Sequence, residues 1–544
     1  MLFKPPKRKE VNIESILNVV ENEVIPKSKI KLRGTSLLAK IKAIEETVER
    51  DLGDEKDNYL LIQTREDWLS YCTQACKDGI VAIDTEYSNL DTMICKLAGI
   101  CIYSLSQKPA YIPVGHYSAI TNDLLPNQVD AKDIATGFQM LKDKKVKQLY
   151  HNGYVDKIVI YRTTGVWVDV YFDSLICSNL LNENEKHGLK PLYEKYCDNG
   201  GETHKFKDLF DGLIINYIPY TTVYIYGARD AMMTFKLYEF MSDFIYKDRA
   251  GCKAYGLEKI SDVFWNIEMP LSDVVAKMKI RGTVFDFDKA DELRIKYTKL
   301  KDEAELKFNK SVSQIKDLIL QRRQEFGDID YPINYNSPSQ LKIIFYDILK
   351  AGVIFKKKPT GTGQEVIDEI LSKKKYEGTI LADIASHLTE VRKFNKMIND
   401  FINKLSENAK EHNGKIHCNY NQNGTDTQRF SSNSPNQQQV PAHEYKDIRN
   451  MITAGEGRVF EFFDFSQQEM MAVSVIANDK KMIESFKLGR DIYGHIASIA
   501  FDKPYEDCLE KDKNGVFNPE GDKRRRQAKS IALGELTPLM LEIA

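Results

Sequence analysis

The chain of 544 residues has no long apolar segment, no closely paired cysteines and almost no net charge. No run approaches the roughly 18 consecutive apolar residues of a membrane-spanning helix, and the basic residues 1–9 are not followed by the apolar stretch of a secretory signal. The nine cysteines lack the Cys-x-x-Cys pairs that are typical of zinc sites. We therefore expect reduced thiols in a cytoplasmic protein that has no membrane anchor. The net charge of −2 excludes a global field that attracts nucleic acid, so any such binding must use local basic patches.

Three segments follow from the pattern of apolar residues along the chain. Residues 12–58 carry apolar side chains at helical spacing, which predicts a helical N-terminal appendage over 1–58. From Tyr59 strand-like and helix-like runs alternate, which predicts an α/β domain with a mixed sheet over 59–250. Helical patterns dominate the remainder, so we expect a mostly helical α+β domain over 251–544.

The stretch 81–86 is the most informative in the sequence. Val81, Ala82 and Ile83 predict a buried strand, and Asp84 and Glu86 then project from the same face of it. Burying two like charges is costly unless cations compensate them, and a pair of divalent ions would do so. An alternative is a strand that simply runs into an acidic loop, because the chain has 79 Asp and Glu residues in all.

Two later segments carry further polar groups at helical spacing. Asn152 can cap a helix, and Asp156 follows one turn later. Tyr226 and Asp230 are four residues apart and therefore share one helical face. Each has a structural alternative: Asn152 as a cap only, Asp156 as a surface charge, Tyr226 as a core residue. Together with Asp84 and Glu86 they supply the four carboxylates and the hydroxyl that a two-metal hydrolytic site needs.

The segments 83–86, 152–156 and 226–230 resemble, in this order, the three motifs of the DEDDy 3′–5′ exonucleases, and 172–175 and 180–190 resemble the segment between them. The resemblance implies an RNase H-like mixed sheet and two divalent ions, Mg²⁺ or Mn²⁺. By that resemblance Asp84, Glu86 and Asp230 would hold one ion, and Asp84 and Asp156 the other. Tyr226 would position the nucleophile.

A second set of candidates lies toward the C-terminus. An apolar strand is predicted over 458–464, ending in the carboxylate of Asp464, and a helix containing Glu469 follows. A single Asp at the end of a strand is often structural. Arg429 and the Asn/Gln-rich run after it are suited to phosphate and base-edge contacts. Arg525 and Lys529 lie one helical turn apart and could reach one triphosphate.

The segments 268–286, 336–338, 435–441, 464–469, 491–495 and 525–529 resemble, in family order, the polymerase part of the family A DNA polymerases in a phage-like version. The resemblance implies a partial polymerase domain with a thumb, part of the palm and the start of the fingers. Its residue roles are a metal ligand for Asp464, a sugar contact for Glu469, triphosphate contacts for Arg525 and Lys529, and DNA contacts for Arg429, Gln467 and Asn436.

The sequence departs from this family at its C-terminal end. The match stops at Gly534, and Pro538 is expected to break the helix. The second palm carboxylate motif, a His-Asp-Glu triplet in the family, is missing, and 535–544 resembles foreign sequence from an intron, a frameshift or a split gene. We therefore expect Mg²⁺ in the polymerase site only if a separate polypeptide completes it.

The resulting prediction is a family A DNA polymerase with a 3′–5′ proofreading exonuclease that acts in DNA replication. Its partners would be primer–template DNA, single-stranded 3′ ends and deoxynucleoside triphosphates. The exonuclease is the activity expected of this chain alone. Two alternatives stay open: a free-standing exonuclease whose C-terminal half binds DNA, and a non-catalytic DNA-binding subunit of a split polymerase.

Overall fold

The structure of the protein is a computed structural model that describes residues 34–198, 203–354, 358–425, 427–442 and 444–543. Residues 1–33 of the predicted appendage lie outside this part. Contacts divide the chain into two compact units, one up to Glu456 and one from Gly457. The predicted boundaries at 58/59 and 250/251 stay predictions. Among the described helices, none combines the length and the apolar character needed to cross a membrane.

A six-stranded mixed sheet organises the first unit, as predicted. Its strands are β1 (Leu60–Leu61), β2 (Ile80–Tyr87), β3 (Leu97–Tyr103), β4 (Ala110–Pro113), β5 (Lys147–Tyr150) and β6 (Val170–Asp173). Their order is β1-β4-β3-β2-β5-β6. The pairs β2–β3 and β3–β4 are antiparallel, and the remaining neighbours are parallel. The acidic strand β2 is therefore central, with β3 on one side and β5 on the other.

Helices cover both faces of this sheet. They are α1 (Gly34–Leu52), α2 (Arg65–Asp78), α3 (Ala131–Asp143), α4 (Gly153–Thr164), α5 (Ser174–Leu181), α6 (Leu189–Tyr196), α7 (Phe206–Phe210) and α8 (Tyr220–Ile245). On one face Trp68 of α2 packs edge-on against Phe138 of α3, with 6.0 Å between the ring centroids. Each such fully buried apolar side chain contributes about 1.5–3 kcal/mol. On the other face the core includes residues of α1, among them Val48 and Leu52, together with α8.

The rest of the first unit is mostly helical, as predicted. Its helices are α9 (Ala250–Ala254), α10 (Glu258–Val263), α11 (Met269–Arg281), α12 (Phe287–Ser313), α13 (Lys316–Phe326), α14 (Pro338–Lys342), α15 (Gln364–Ser372), α16 (Ile380–Lys396) and α17 (Lys404–Glu411). Ser337 caps α14, because its hydroxyl accepts from the backbone N–H of Gln340, and Pro338 opens the helix.

Two small sheets accompany these helices. The strand β7 (Thr283–Phe285) lies between β8 (Lys415–Ile416) and β11 (Ile452–Thr453), and β9 (Asn419–Asn421) pairs with β10 (Ser431–Asn433). Turns of 3₁₀-helix lie at Gly53–Asn58, Ile215–Tyr217, Lys374–Tyr376, Lys446–Met451 and Tyr505–Cys508, and turns of π-helix at Phe264–Glu268, Ile343–Ile348 and Met397–Asn403.

The unit from Gly457 consists of α18 (Gln468–Ile476), α19 (Lys480–Lys487), α20 (Ile492–Phe501) and α21 (Pro519–Ile543). Two predictions are wrong here. The segment 458–464 is irregular and exposed rather than a strand, because a strand requires a neighbour to complete its hydrogen bonds. The helix α21 also continues through Pro538 to Ile543. Proline removes a single backbone donor, and that loss does not end this helix.

Candidate functional site

The strand β2 brings two carboxylates to one face of the sheet. Asp84 and Glu86 alternate along it and are both half-buried. Asp84 lies opposite Cys101 of β3. One carboxylate oxygen of each acid and the Cys101 Sγ lie within 4.8 Å of one another. Sequence spacing does not reveal the position of Cys101, because its proximity to the two acids depends on the register between β2 and β3.

The helix α4 supplies the third carboxylate. Asp156 is buried, and its Oδ1 accepts hydrogen bonds from the backbone N–H of Thr85 at 2.9 Å and from the Thr85 hydroxyl at 2.6 Å. Asp156 is therefore fixed beside the strand residue that separates Asp84 from Glu86.

The start of α4 is fixed by a residue from elsewhere in the chain. Asn152 makes no side-chain capping hydrogen bond, so its prediction as the cap is wrong. Asp173, at the end of β6, instead accepts from the backbone N–H groups of Asn152 at 3.0 Å and Gly153 at 2.7 Å. Asn152 has a left-handed φ of 67°, whereas residues that cap a helix with their side chain usually have an extended backbone.

The helix α8 supplies the fourth carboxylate and a phenol. Tyr226 and Asp230 are both 7 % exposed. Gly227 lies between them against the sheet, where a Cβ would come within 2.8 Å of the Cys101 Sγ. A glycine at this position lets the helix approach β3 closely, and that approach brings Asp230 within electrostatic reach of Glu86.

A lysine from α6 completes the cluster. The Lys190 Nζ donates to both oxygens of Asp230, at 2.7 and 2.8 Å, and to the Tyr226 hydroxyl at 3.0 Å. Lys190 lies in a segment that the sequence places between two motifs, but its contacts with α8 are not visible from sequence spacing.

Burial and mutual repulsion dominate the electrostatics of the cluster. Burial raises the pKa of Asp84 well above its usual range, and the carboxylates of Asp156 and Glu86 add to this effect. Burial, with the charge of Asp230, raises the pKa of Glu86 to about 8. Burial also raises the pKa of Asp156 to about 7, although the hydrogen bonds from Thr85 act in the opposite direction. The cluster therefore retains protons near neutral pH unless cations neutralise it.

The donor set fits a divalent cation. Carboxylate oxygens are the ligands that Mg²⁺ and Mn²⁺ prefer, and three elements of the fold present them together. Burial raises the pKa of the Cys101 thiol well above its usual range, so the sulfur is protonated and a poor ligand. The carboxylates of Asp84 and Glu86 are therefore the groups suited to hold an ion here.

Three residues of the second predicted set, Asp464, Gln467 and Glu469, lie in the unit from Gly457. Asp464 is exposed on the irregular segment. Glu469 lies half-buried at the start of α18. Gln467, before that helix, accepts from the backbone N–H of Ile492 at 2.7 Å. The side-chain oxygen of Gln467 is therefore hydrogen-bonded to a neighbouring helix of the same unit.

Arg525 and Lys529 lie on one face of α21, as predicted. Their charged groups are 5.5 and 5.6 Å from the centroid of the Tyr493 ring. The Arg525 Nε also donates to Asp491 at 2.6 Å. Two cations therefore face one aromatic ring on α20.

The predicted DNA contacts Arg429 and Asn436 lie near the β9–β10 hairpin of the first unit. Arg429 is exposed. The Asn436 Oδ1 accepts from the Ser432 hydroxyl and from the backbone N–H groups of Gln438 and Gln439. The Asn436 oxygen therefore stabilises its own turn.

Two segments of the chain match known protein families. The family described as 3′–5′ exonuclease matches residues 59–245, and the family described as DNA polymerase family A matches residues 299–535. The chain therefore combines a segment similar to 3′–5′ exonucleases with a segment similar to DNA polymerase family A. The predictions of family and fold class are confirmed.

Similar proteins agree with this assignment. DNA polymerase I of Pseudomonas aeruginosa is 26% identical over 485 residues, which cover 86% of this chain and 46% of that protein. DNA polymerase I of Chloroflexus aurantiacus is 27% identical, with 83% of this chain and 44% of that protein covered. The DNA polymerase of Escherichia phage T5 is 25% identical, with 84% and 52% covered. The chain thus spans about half the length of these relatives.

A solved structure shows the same fold. The POL domain of Pol1 from M. smegmatis, in a complex with DNA primer-template and dNTP, aligns with a TM-score of 0.59 at 17% identity. The alignment covers 87% of this chain and 70% of that one.

Proposed function

We propose that this chain removes nucleotides from the 3′ ends of DNA by metal-assisted hydrolysis. The observation that supports the proposal is the convergence of Asp84, Glu86, Asp156 and Asp230 from β2, α4 and α8 into one electrostatically coupled cluster. Burying four such carboxylates together is costly when they are charged, and divalent cations would offset that cost. The domain that carries them belongs to an exonuclease family.

The proposed reaction is the hydrolysis of the terminal phosphodiester. A water oxygen bonds to phosphorus, and the bond from phosphorus to the 3′ oxygen of the preceding nucleotide breaks. A proton from the water ends on that 3′ oxygen, so the products are a nucleoside 5′-monophosphate and a shortened strand with a 3′ hydroxyl. Asp84, Glu86 and Asp230 would hold one divalent ion, and Asp84 with Asp156 the second. Such ions activate water and neutralise charge on the leaving oxygen.

Tyr226 would orient the attacking water through its hydroxyl. Burial and the charge of Asp230 raise the pKa of Tyr226, so the phenol keeps its proton at neutral pH. A neutral hydroxyl can both donate and accept a hydrogen bond. Lys190 fixes the hydroxyl position through its 3.0 Å contact.

The test is the shortening of an end-labelled single strand with Mg²⁺ or Mn²⁺. We expect the wild-type chain to release mononucleotides and the double variant Asp84→Ala/Glu86→Ala to lose this activity. Equal degradation by both proteins would refute the assignment. No degradation by either would favour a non-catalytic DNA-binding subunit.

We infer a second function, primer extension, for the family A part. The supporting observation is the pair of cations, Arg525 and Lys529, over the Tyr493 ring, which presents two positive charges to one triphosphate. Two-metal transfer also needs paired carboxylates, and Asp464 supplies one of them. A separate polypeptide that carries the further palm carboxylates is part of this proposal.

A primer–template assay with nucleotides tests primer extension. We expect extension when a fragment with the remaining family A palm segment is added. Shortening alone in the presence of that fragment would favour a free-standing exonuclease whose C-terminal half binds DNA.

A further inference from the structure

Lys190 is a half-buried cation that faces the carboxylate cluster. Its side chain is 13% exposed, and that of Asp230 is 11% exposed. Both Asp230 oxygens accept from its Nζ, at 2.7 and 2.8 Å. The same ammonium lies 4.3 Å from the centroid of the Tyr226 ring and 3.0 Å from the Tyr226 hydroxyl. One ammonium thus contacts both side chains that α8 contributes to the site.

The charge of Lys190 also acts on the strand carboxylates. It lowers the pKa of Asp84 and of Glu86, against the larger effect of burial. A buried carboxylate cluster is destabilised by its own repulsion, and a fixed positive charge relieves part of it. Lys190 supplies that charge from within the chain.

A divalent ion that uses Asp230 must share its oxygens with this ammonium. Both oxygens already accept charge-assisted hydrogen bonds, and an ammonium and a divalent cation repel each other at short range. Lysine carries its charge on a flexible four-carbon stem. The ammonium can therefore leave Asp230 while the backbone of α6 stays in place.

We propose that Lys190 is a built-in counter-cation of the exonuclease site: it holds Asp230 and Tyr226 in place before divalent ions bind, and it competes with those ions for Asp230. The inference rests on the proposed exonuclease function. Lys190 is then a positioning residue. Its charge also makes the affinity of the site for metal ions lower than the four carboxylates alone would give.

The experiment titrates Mn²⁺ into the metal-free full-length chain, followed by calorimetry and by the electron paramagnetic resonance signal of free Mn²⁺. In Lys190→Met we expect Mn²⁺ to bind at least about tenfold more tightly, because a like charge is removed at short range. The rise in Tm on adding Mn²⁺ should also be larger than in wild type, since the stabilisation by a ligand increases with the logarithm of its affinity. Unchanged or weaker Mn²⁺ binding would overturn the proposal.

Two further variants separate charge from packing. Lys190→Arg keeps the charge, so its Mn²⁺ affinity should stay close to wild type; an affinity as high as that of Lys190→Met would also overturn the proposal. Lys195→Met is the matched control, because Lys195 lies on the same helix and pairs with Glu185 outside the cluster. Its Mn²⁺ affinity should not change.

The outcomes distinguish this inference from the proposed function. An active wild-type enzyme with unchanged Mn²⁺ affinity in Lys190→Met would refute the inference alone. An inactive wild-type chain in which Lys190→Met still tightens Mn²⁺ binding would refute the proposed exonuclease activity alone.

Discussion

Around the six-stranded sheet of the first unit, Asp156 and Asp230 are 4% and 7% exposed. In the unit from Gly457, by contrast, Asp464 lies exposed on an irregular segment. The first pair is fixed by neighbours: Thr85 donates twice to Asp156, and Lys190 donates to both oxygens of Asp230. Folding alone therefore assembles the carboxylate cluster, and the native state includes the electrostatic cost of its burial. The exposed Asp464 involves no such cost, so the two regions should respond very differently to substitution.

The largest expected effect is on exonuclease activity. Asp156→Asn keeps the size of the side chain and removes its charge, so we expect the rate of strand shortening to fall by about 100-fold or more, the scale of losing one preorganised charged group in an active site. Asp464→Asn is the matched control from the other unit and should shorten strands at the wild-type rate. An equal loss in both variants would contradict the contrast between the two regions.

The next effect is on stability and concerns two helix caps. Asp173 is 1% exposed and accepts from the backbone N–H groups of Asn152, Gly153 and Leu175. Asp173→Ala leaves these buried and partly buried donors without their acceptor, which should cost about 3 kcal/mol. Asp479 caps α19 from an exposed position, and its change to alanine should cost about 1 kcal/mol.

Chemical denaturation followed by circular dichroism measures both caps. Equal destabilisation by the two substitutions would contradict the difference in burial. Asp173→Ala should also slow strand shortening, because the cap fixes the start of the helix that carries Asp156.

A smaller effect is expected from a polar contact between the β2–β3 connection and His412, the residue that follows α17. The His412 Nε2 lies 2.9 Å from Asp91, in the β2–β3 connection. Burial disfavours the charged imidazole, but the hydrogen bonds to Asp91 and to the Asn408 carbonyl outweigh it and raise the pKa of His412. Burial likewise acts against the Asp91 carboxylate, but the hydrogen bond with His412 and the others that it accepts lower its pKa to about 2.

The sign of the pH dependence follows from these directions. Because the folded-state pKa of His412 is raised, its contribution is fully present below the unfolded value of about 6.5 and is lost as the pH rises through the folded pKa. His412→Gln should therefore cost about 1.5 kcal/mol near pH 6 and less at pH 8.5. Thermal unfolding of both proteins across this range measures the difference. A cost that grows with pH would show that the imidazole is neutral in the native state.

The features of the site that can be predicted from the sequence are those that depend on the regular spacing of residues within one strand or one helix. The alternation in β2 places Asp84 and Glu86 on one face, and the four-residue spacing places Tyr226 and Asp230 on one side of α8. The contacts that complete the site join residues distant in sequence, such as Lys190 to Asp230 and Asp173 to Gly153. Those contacts depend on strand order and helix placement, which local spacing does not specify. The segment 458–464 illustrates the same limit, since its apolar composition favours a strand but cannot provide a partner strand.

The smallest expected effect compares the ion pairs of the two regions. Arg525 and Asp491 have side chains that are 20% and 23% exposed, about twice as exposed as Lys190 and Asp230. A double-mutant cycle on unfolding free energy, with Arg525→Met and Asp491→Asn, should give a coupling of about 0.5 kcal/mol. Solvent screens the more exposed pair more strongly, and Arg525 donates to the Asp491 carboxylate, whereas Lys190 faces the cluster of four carboxylates. A cycle on Lys190 and Asp230 should give a clearly larger coupling in metal-free buffer. Equal couplings would mean that the clustered carboxylates add nothing to the binding of Lys190. The proposed electrostatic difference between the two regions would then be wrong.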